Sequence, residues 1–203
     1  ELVSQQRARR EQSVTGNGHG LAMAAACAGM SPLARLNHQL TGLAGISRVK
    51  ELDDALQDPQ QASNFAAGLA ELHDMVCAMP RQLLAVAEEE HVAGVAETAA
   101  TVLAGHEGEH TEVFSLDPVR EQRGEFWLAN TQVNFCARAY PTVSVQHPDA
   151  APLTVLGGFL RNGYLHRAVR EQGGAYGGGA SQDSGNAAFR FYSYRDPRLE
   201  GTL

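Results

Sequence analysis

An α+β fold is expected from the sequence: a helical segment followed by an α/β unit whose sheet is mostly antiparallel. Three observations point to it. Apolar residues recur at helical spacing through the first 80 residues, the period changes after them, and two stretches, 126–145 and 187–194, alternate as strands do. With 203 residues, 43% of them hydrophobic, the chain has the apolar mass to bury one or two cores. The linear reading sets a helical segment at 1–80 and the α/β unit at 81–203.

Each element follows from local chemistry. Leu21, Ala24, Ala25 and Ala28 form one closely packing helical face. Ser31 is an N-cap with Pro32 at the first helical position, and Ile46, Val49 and Leu52 repeat the helical period. Phe65, Leu69, Leu72 and Val76 do the same between Gln60 and Met79, and Pro80 closes that helix. Then "QLLAVAEEE" at 82–90 has the look of a buried strand, and "HVAGVAETAATVLAG" after it is a small-residue helix ending at Gly105. Residues 106–125 have no period and read as a loop. Within 126–145, Val133, Phe135 and Ala137 alternate against Gln132, Asn134, Cys136 and Arg138, and Trp127 is expected in the core. A helix at 152–170 carries Leu153, Leu156, Leu160 and Tyr164 on one side. It meets a glycine cluster, after which Phe189 and Phe191 alternate with Arg190 and Tyr192. Asp196 and Pro197 look like the cap and first position of a further helix.

Charge and cysteine usage exclude several functions. Sixteen basic and 23 acidic residues give a net charge of -7, which offers no footprint for nucleic acid or an anionic membrane. The longest apolar run, residues 21–30, is about half of a bilayer span. Cys27, Cys77 and Cys136 make no C-x-x-C pair and read as reduced core cysteines. No secretory signal opens the chain, and alanine and glycine are abundant, so a bacterial cytoplasm is expected; an organellar matrix stays open. The chain starts at Glu1 within what reads as a polar helix, as a piece of something longer would.

Two constellations could carry chemistry. "HEGEH" at 106–110 satisfies both H-E-x-x-H, with Glu107 as base, and the inverted H-x-x-E-H, with Glu109. That spacing places His106 and His110 on one ion only if the segment is helical. Gly105 precedes it and Gly108 sits at its centre, so it reads as an exposed acidic loop, with no native metal site assigned to it. The second is "REQGGAY" at 170–176. Arg170 falls in the last helical turn, where a cation suits the dipole, and its fork can bind a carbonyl or carboxylate. Gly173 and Gly174 can end the helix with positive φ, and Gly177 to Gly179 let another backbone approach. The bland alternative is a C-cap and an edge strand with a packing tyrosine and a solvated arginine.

"YLHRAVREQGGAYGGGA", "FRFYSYRDPRLEGTL", "VNFCARAYP" and "GHGLAMAAACAGMSPLARLNHQLTGLAGISRVKELDD" together resemble the C-terminal region of the presequence protease branch of the pitrilysin and insulinase-like zinc metallopeptidases. The resemblance runs from Gly18 to Leu203. It implies a clam-shell of about four related α/β units with zinc in the first. This chain then comprises the end of the third unit with a connector (1–80) and a truncated, incomplete metallopeptidase-type α/β unit (81–203). Zinc is implied for the full-length enzyme, and none is expected bound natively here. The resemblance assigns Arg170 and Tyr176 to catalysis: they hold the peptide and donate to the oxygen that becomes negative.

Smaller assignments follow. Gly177 and Gly178 would lie along the substrate, and Tyr192, Tyr194 and Arg195 would line the chamber or pack. Asn134 either binds substrate backbone or pairs strands. His38, His73, His91, His147 and His166 read as structural or surface histidines. The expected partners are a peptide substrate and the remainder of the peptidase chain, or a second copy forming a homodimer in isolation. The expected activity is degradation of short unfolded peptides, absent from this fragment alone. The alternative is a noncatalytic peptide-binding or partner subunit of a separate zinc peptidase.

Overall fold

The computed structural model describes residues 1–79, 84–104 and 114–202. Helices α1 (Leu2–Cys27), α2 (Pro32–Leu40), α3 (Leu43–Ala55), α4 (Pro59–Ala78) and α5 (Glu89–Leu103) precede strand β1 (Ala137–Pro141) and helix α6 (Ala150–Leu160). A π-helical segment, Arg161–Glu171, continues α6, and strands β2 (Gly177–Asp183) and β3 (Ala188–Tyr194) close the order. The sheet is antiparallel throughout, ordered β1-β3-β2, so the α+β class and the antiparallel sheet stand.

Glu1–Asp54 and Leu116–Leu203 form one compact unit, Ala55–Ser115 another. In the first, α1 lies against β1 and β3, while α6 and the π segment lie against β2. A core of Cys27, Ala34 and Ala188, with Met30 and Ala139 packed on it, joins α1 and α2 to the sheet. Small residues let the layers approach closely. The cap of α2 forms as the sequence implies: the Ser31 hydroxyl accepts from the Ala34 amide at 3.0 Å, with Pro32 following. At α6 the seat on the sheet is Gly157. A Cβ there would lie 3.0 Å from the Ala180 carbonyl oxygen.

Several expectations are corrected. Leu84–Glu88 form no strand. Leu84 and Val86 are 87% and 93% exposed, and Glu89 and Glu90 instead start α5, where carboxylates suit the positive end of the dipole. The expected strand over 126–145 contracts to Ala137–Pro141 with an isolated bridge at Asn134. Trp127 is 43% exposed rather than core, its indole N–H donating to Glu125 at 2.7 Å. Cys27 and Cys136 are buried, the former with its thiol pushed up to about 11 by burial, but Cys77 is only half-buried. After Asp196 the chain makes turns rather than a helix. The α4 face of Leu69, Leu72 and Val76 is exposed. The "HEGEH" motif lies outside the described residues.

Candidate functional site

The site begins where the π segment ends. Its C-terminus is closed by Gly174, which takes φ +78 and donates its amide to the Arg170 carbonyl at 3.0 Å, a left-handed helix stop. The Ala175 amide donates to the Val169 carbonyl at 3.1 Å. Two glycines are needed there for different reasons. Gly174 supplies the positive φ, and Gly173 supplies space, because a Cβ would meet the Arg198 guanidinium and the Val169 carbonyl. The chain then turns through Ala175 into β2, and Tyr176 is presented at the turn.

Arg170 and Tyr176 come together. The guanidinium carbon lies 5.7 Å from the Tyr176 ring centroid, a cation–π contact. Tyr176 is 65% exposed and Arg170 is exposed too. Among the described residues, neither the guanidinium nor the phenol hydroxyl has a hydrogen-bond or ion-pair partner. A fixed cation and a free donor side by side can bind a carbonyl or carboxylate and stabilise charge building on an adjacent oxygen.

Tyr194 belongs to the same cluster. Its ring stands edge-on to Tyr176 at 5.7 Å and carries Arg195 at 5.4 Å on the cation–π side. In the β2–β3 register Tyr194 lies opposite Gly177. The Tyr176 amide donates to the Arg195 carbonyl at 3.3 Å, which fastens the start of β2 to the end of β3. Asn134 sits apart from this cluster. Its backbone exchanges hydrogen bonds with Asp196, and its side-chain amide donates to the Asp196 carbonyl at 3.2 Å.

The glycines of β2 divide by environment. Nothing lies within 4 Å of a Cβ built on Gly177, whereas on Gly178 it would lie 2.7 Å from Val169 Cγ1 and 3.0 Å from the Tyr192 carbonyl oxygen. Gly178 therefore seats the π segment on the sheet, and Gly177 borders open space. Gly177→Ala is expected to change stability by less than about 0.5 kcal/mol. Gly178→Ala is expected to cost about 1–3 kcal/mol through overpacking, as measured by denaturant unfolding. Equal effects would refute the distinction.

One residue of the cluster escapes a reading of the sequence. His19, on α1, lies edge-on to Tyr194 at 4.9 Å and 5.9 Å from Tyr192. Its local signal is a lone ring between Gly18 and Gly20. The other buried histidine, His38, is structural: it is 3% exposed, burial holds its imidazole below the ordinary range, and its Nε2 lies 3.5 Å from Glu125.

Comparison with known proteins bears on the whole chain. Residues 124–203 match the family model "PreP C-terminal domain", and residues 1–52 match the model of a domain associated with the same group of peptidases. The chain is 31% identical over 212 residues to the mitochondrial presequence protease of Yarrowia lipolytica, covering 100% of this chain and 21% of that protein. For the zebrafish (Danio rerio) protein of the same name the identity is 29%, with 100% and 22% covered, and for that of Aspergillus fumigatus it is 32%, with 94% and 18% covered. The chain thus spans about a fifth of the length of these relatives. Their names overturn the bacterial cytoplasm inferred from composition, since all are mitochondrial. Alanine and glycine content is a poor guide to compartment, because an address is read by receptors from a short segment. Among the described residues, no helix is long and apolar enough to cross a membrane. With both family models and the alignments along the whole chain agreeing, the chain belongs to the presequence protease family of peptidases and carries that family's C-terminal domain.

Proposed function

We propose that this chain supplies a substrate-facing part of a zinc endopeptidase that degrades short unfolded peptides, in a mitochondrial setting like that in its relatives' names. One observation carries the reading: an exposed guanidinium and an exposed phenol hydroxyl, both without partners among the described residues, stacked at a glycine-stopped helix end. Arg170 holds a carbonyl or carboxylate of the bound peptide. Tyr176 donates to the carbonyl oxygen under attack as its negative charge builds. Gly177 and the edge of β2 leave room for the peptide backbone. Gly178 seats β2, Tyr194 braces Tyr176, and Asn134 fastens the approach to β1.

Zinc does not fit this site. Guanidinium and phenol groups are poor zinc ligands, and His19 offers a single imidazole where a zinc site needs three or four donors. The metal is assigned to another part of the peptidase, and these 203 residues alone are assigned no activity. Val155 and Phe159 of α6, both 73% exposed, support association with the remainder of the peptidase or a second copy.

Peptide cleavage tests the reading. The full-length peptidase is expected to cut a short unfolded peptide that residues 1–203 alone leave intact. In the full-length chain, Arg170→Ala is expected to raise KM about tenfold, roughly 1.4 kcal/mol for one charge-assisted hydrogen bond. Cleavage by residues 1–203 alone, or an unchanged KM, overturns it.

A further inference from the structure

We propose that His19 is a positioning residue that holds Tyr194, and through it Tyr176, in the orientation catalysis needs; the inference rests on the role of Tyr176 proposed above. An exposed tyrosine exchanges among rotamers unless neighbours restrict it. Tyr176 is restricted by Arg170 at 5.7 Å and by Tyr194 at 5.7 Å. Tyr194 is therefore the brace, and it must itself be fixed. Its cross-strand partner on β2 is Gly177, which has no side chain to support it. Support comes from Phe135 at 5.8 Å, Arg195 at 5.4 Å and His19 at 4.9 Å, the shortest of these ring contacts.

The backbone of α1 is shaped to deliver that ring. Asn17 departs from helical geometry, with φ -121 and ψ 25, and kinks the helix two residues before His19. Gly18, buried, takes the next place because the Phe135 ring occupies the position a Cβ would fill. The kink and the bare glycine bring α1 onto Phe135 and set His19 against Tyr194. Buried His19 Nδ1 has no hydrogen-bond partner among the described residues. No hydrogen bond through that atom competes for the ring, so packing sets its place. The result is a continuous file of side chains, His19, Tyr194, Tyr176 and Arg170, from the segment matching the peptidase-associated model to the C-terminal domain. Preorganisation of a donor before charge develops is what makes such a donor effective.

A double-mutant cycle on the full-length peptidase, with an unfolded peptide as substrate, separates positioning from simple packing. His19→Ala is expected to lower kcat about tenfold and to change KM less than about twofold. His19→Phe, which keeps a ring, is expected to restore kcat to within about threefold. In a Tyr176→Phe background, where no hydroxyl remains to be aimed, His19→Ala is expected to lower kcat less than about twofold further. An equal loss of kcat in both backgrounds makes His19 merely structural and overturns the proposal, as does an unchanged kcat for His19→Ala. If Tyr176→Phe alone retains full kcat, the functional reading fails first and this inference falls with it.

Discussion

Tyr176→Phe in the full-length peptidase is expected to lower kcat for peptide cleavage about 100-fold or more, close to 2.7 kcal/mol of transition-state stabilisation. The expectation follows from what the hydroxyl does not do in the resting chain. It has no hydrogen-bond partner among the described residues, and its ring contacts with Arg170 and Tyr194 are the same for phenylalanine in shape. Folding should therefore be nearly unaffected, with a thermal midpoint shift of less than about 1 °C. KM should move little, because a donor used as charge builds on the oxygen acts in the transition state rather than in the ground state. Steady-state kinetics and a melting curve on the same preparation decide the matter. A rate within a few-fold of the unaltered enzyme removes Tyr176 from the chemistry.

The largest stability effect is expected at Asp196. It is 0% exposed, and with Ser193 it is one of the largest fully buried side chains. One carboxyl oxygen accepts from the Arg198 amide at 2.9 Å and the other from the Thr202 hydroxyl at 2.7 Å. Its backbone pairs with Asn134 in both directions, at 2.7 and 2.9 Å. Asp196 thereby ties the chain after β3 to the chain before β1, next to Arg195, whose backbone takes φ 50. Asp196→Ala removes two acceptors inside the protein and leaves their donors unpaired, a loss of about 2–4 kcal/mol. Native-state hydrogen exchange reads it locally: the β1 and β3 amides should exchange roughly 30- to 1,000-fold faster where global opening governs them. Asp196→Asn, which keeps one acceptor, should lose less. A change below about threefold for the alanine variant would show that the anchor lies elsewhere.

Much of the helical architecture was legible because its signals are local. Ser31 with Pro32 starts α2, and the alternation of Phe189, Arg190, Phe191 and Tyr192 forms β3. The glycine stop after Arg170 has its positive φ at Gly174. Where local signals misled, an absent or unexpected partner was the cause. Residues 84–88 have a strand's composition, yet none of them joins a ladder. Leu153, Leu156 and Leu160 mark an apolar side of α6, but its closest approach to the sheet is at Gly157, where a missing side chain matters more than a large one. Trp127 carries a polar N–H that Glu125 satisfies near the surface, so its size did not force it inward.

Residue order was enough to establish the α+β class, the antiparallel character of the sheet, the helix stop at paired glycines and the candidate pair Arg170 and Tyr176. These follow from caps, periods and backbone freedom, whose physics spans a few residues. Other facts emerge once the chain is folded: Tyr194 stands edge-on to Tyr176, His19 on α1 stands behind Tyr194, and Gly177 faces open space while Gly178 does not. They depend on which faces of distant segments meet, and that is set by the kink at Asn17 and the close packing of α1 and the π segment on the sheet, which no local period encodes.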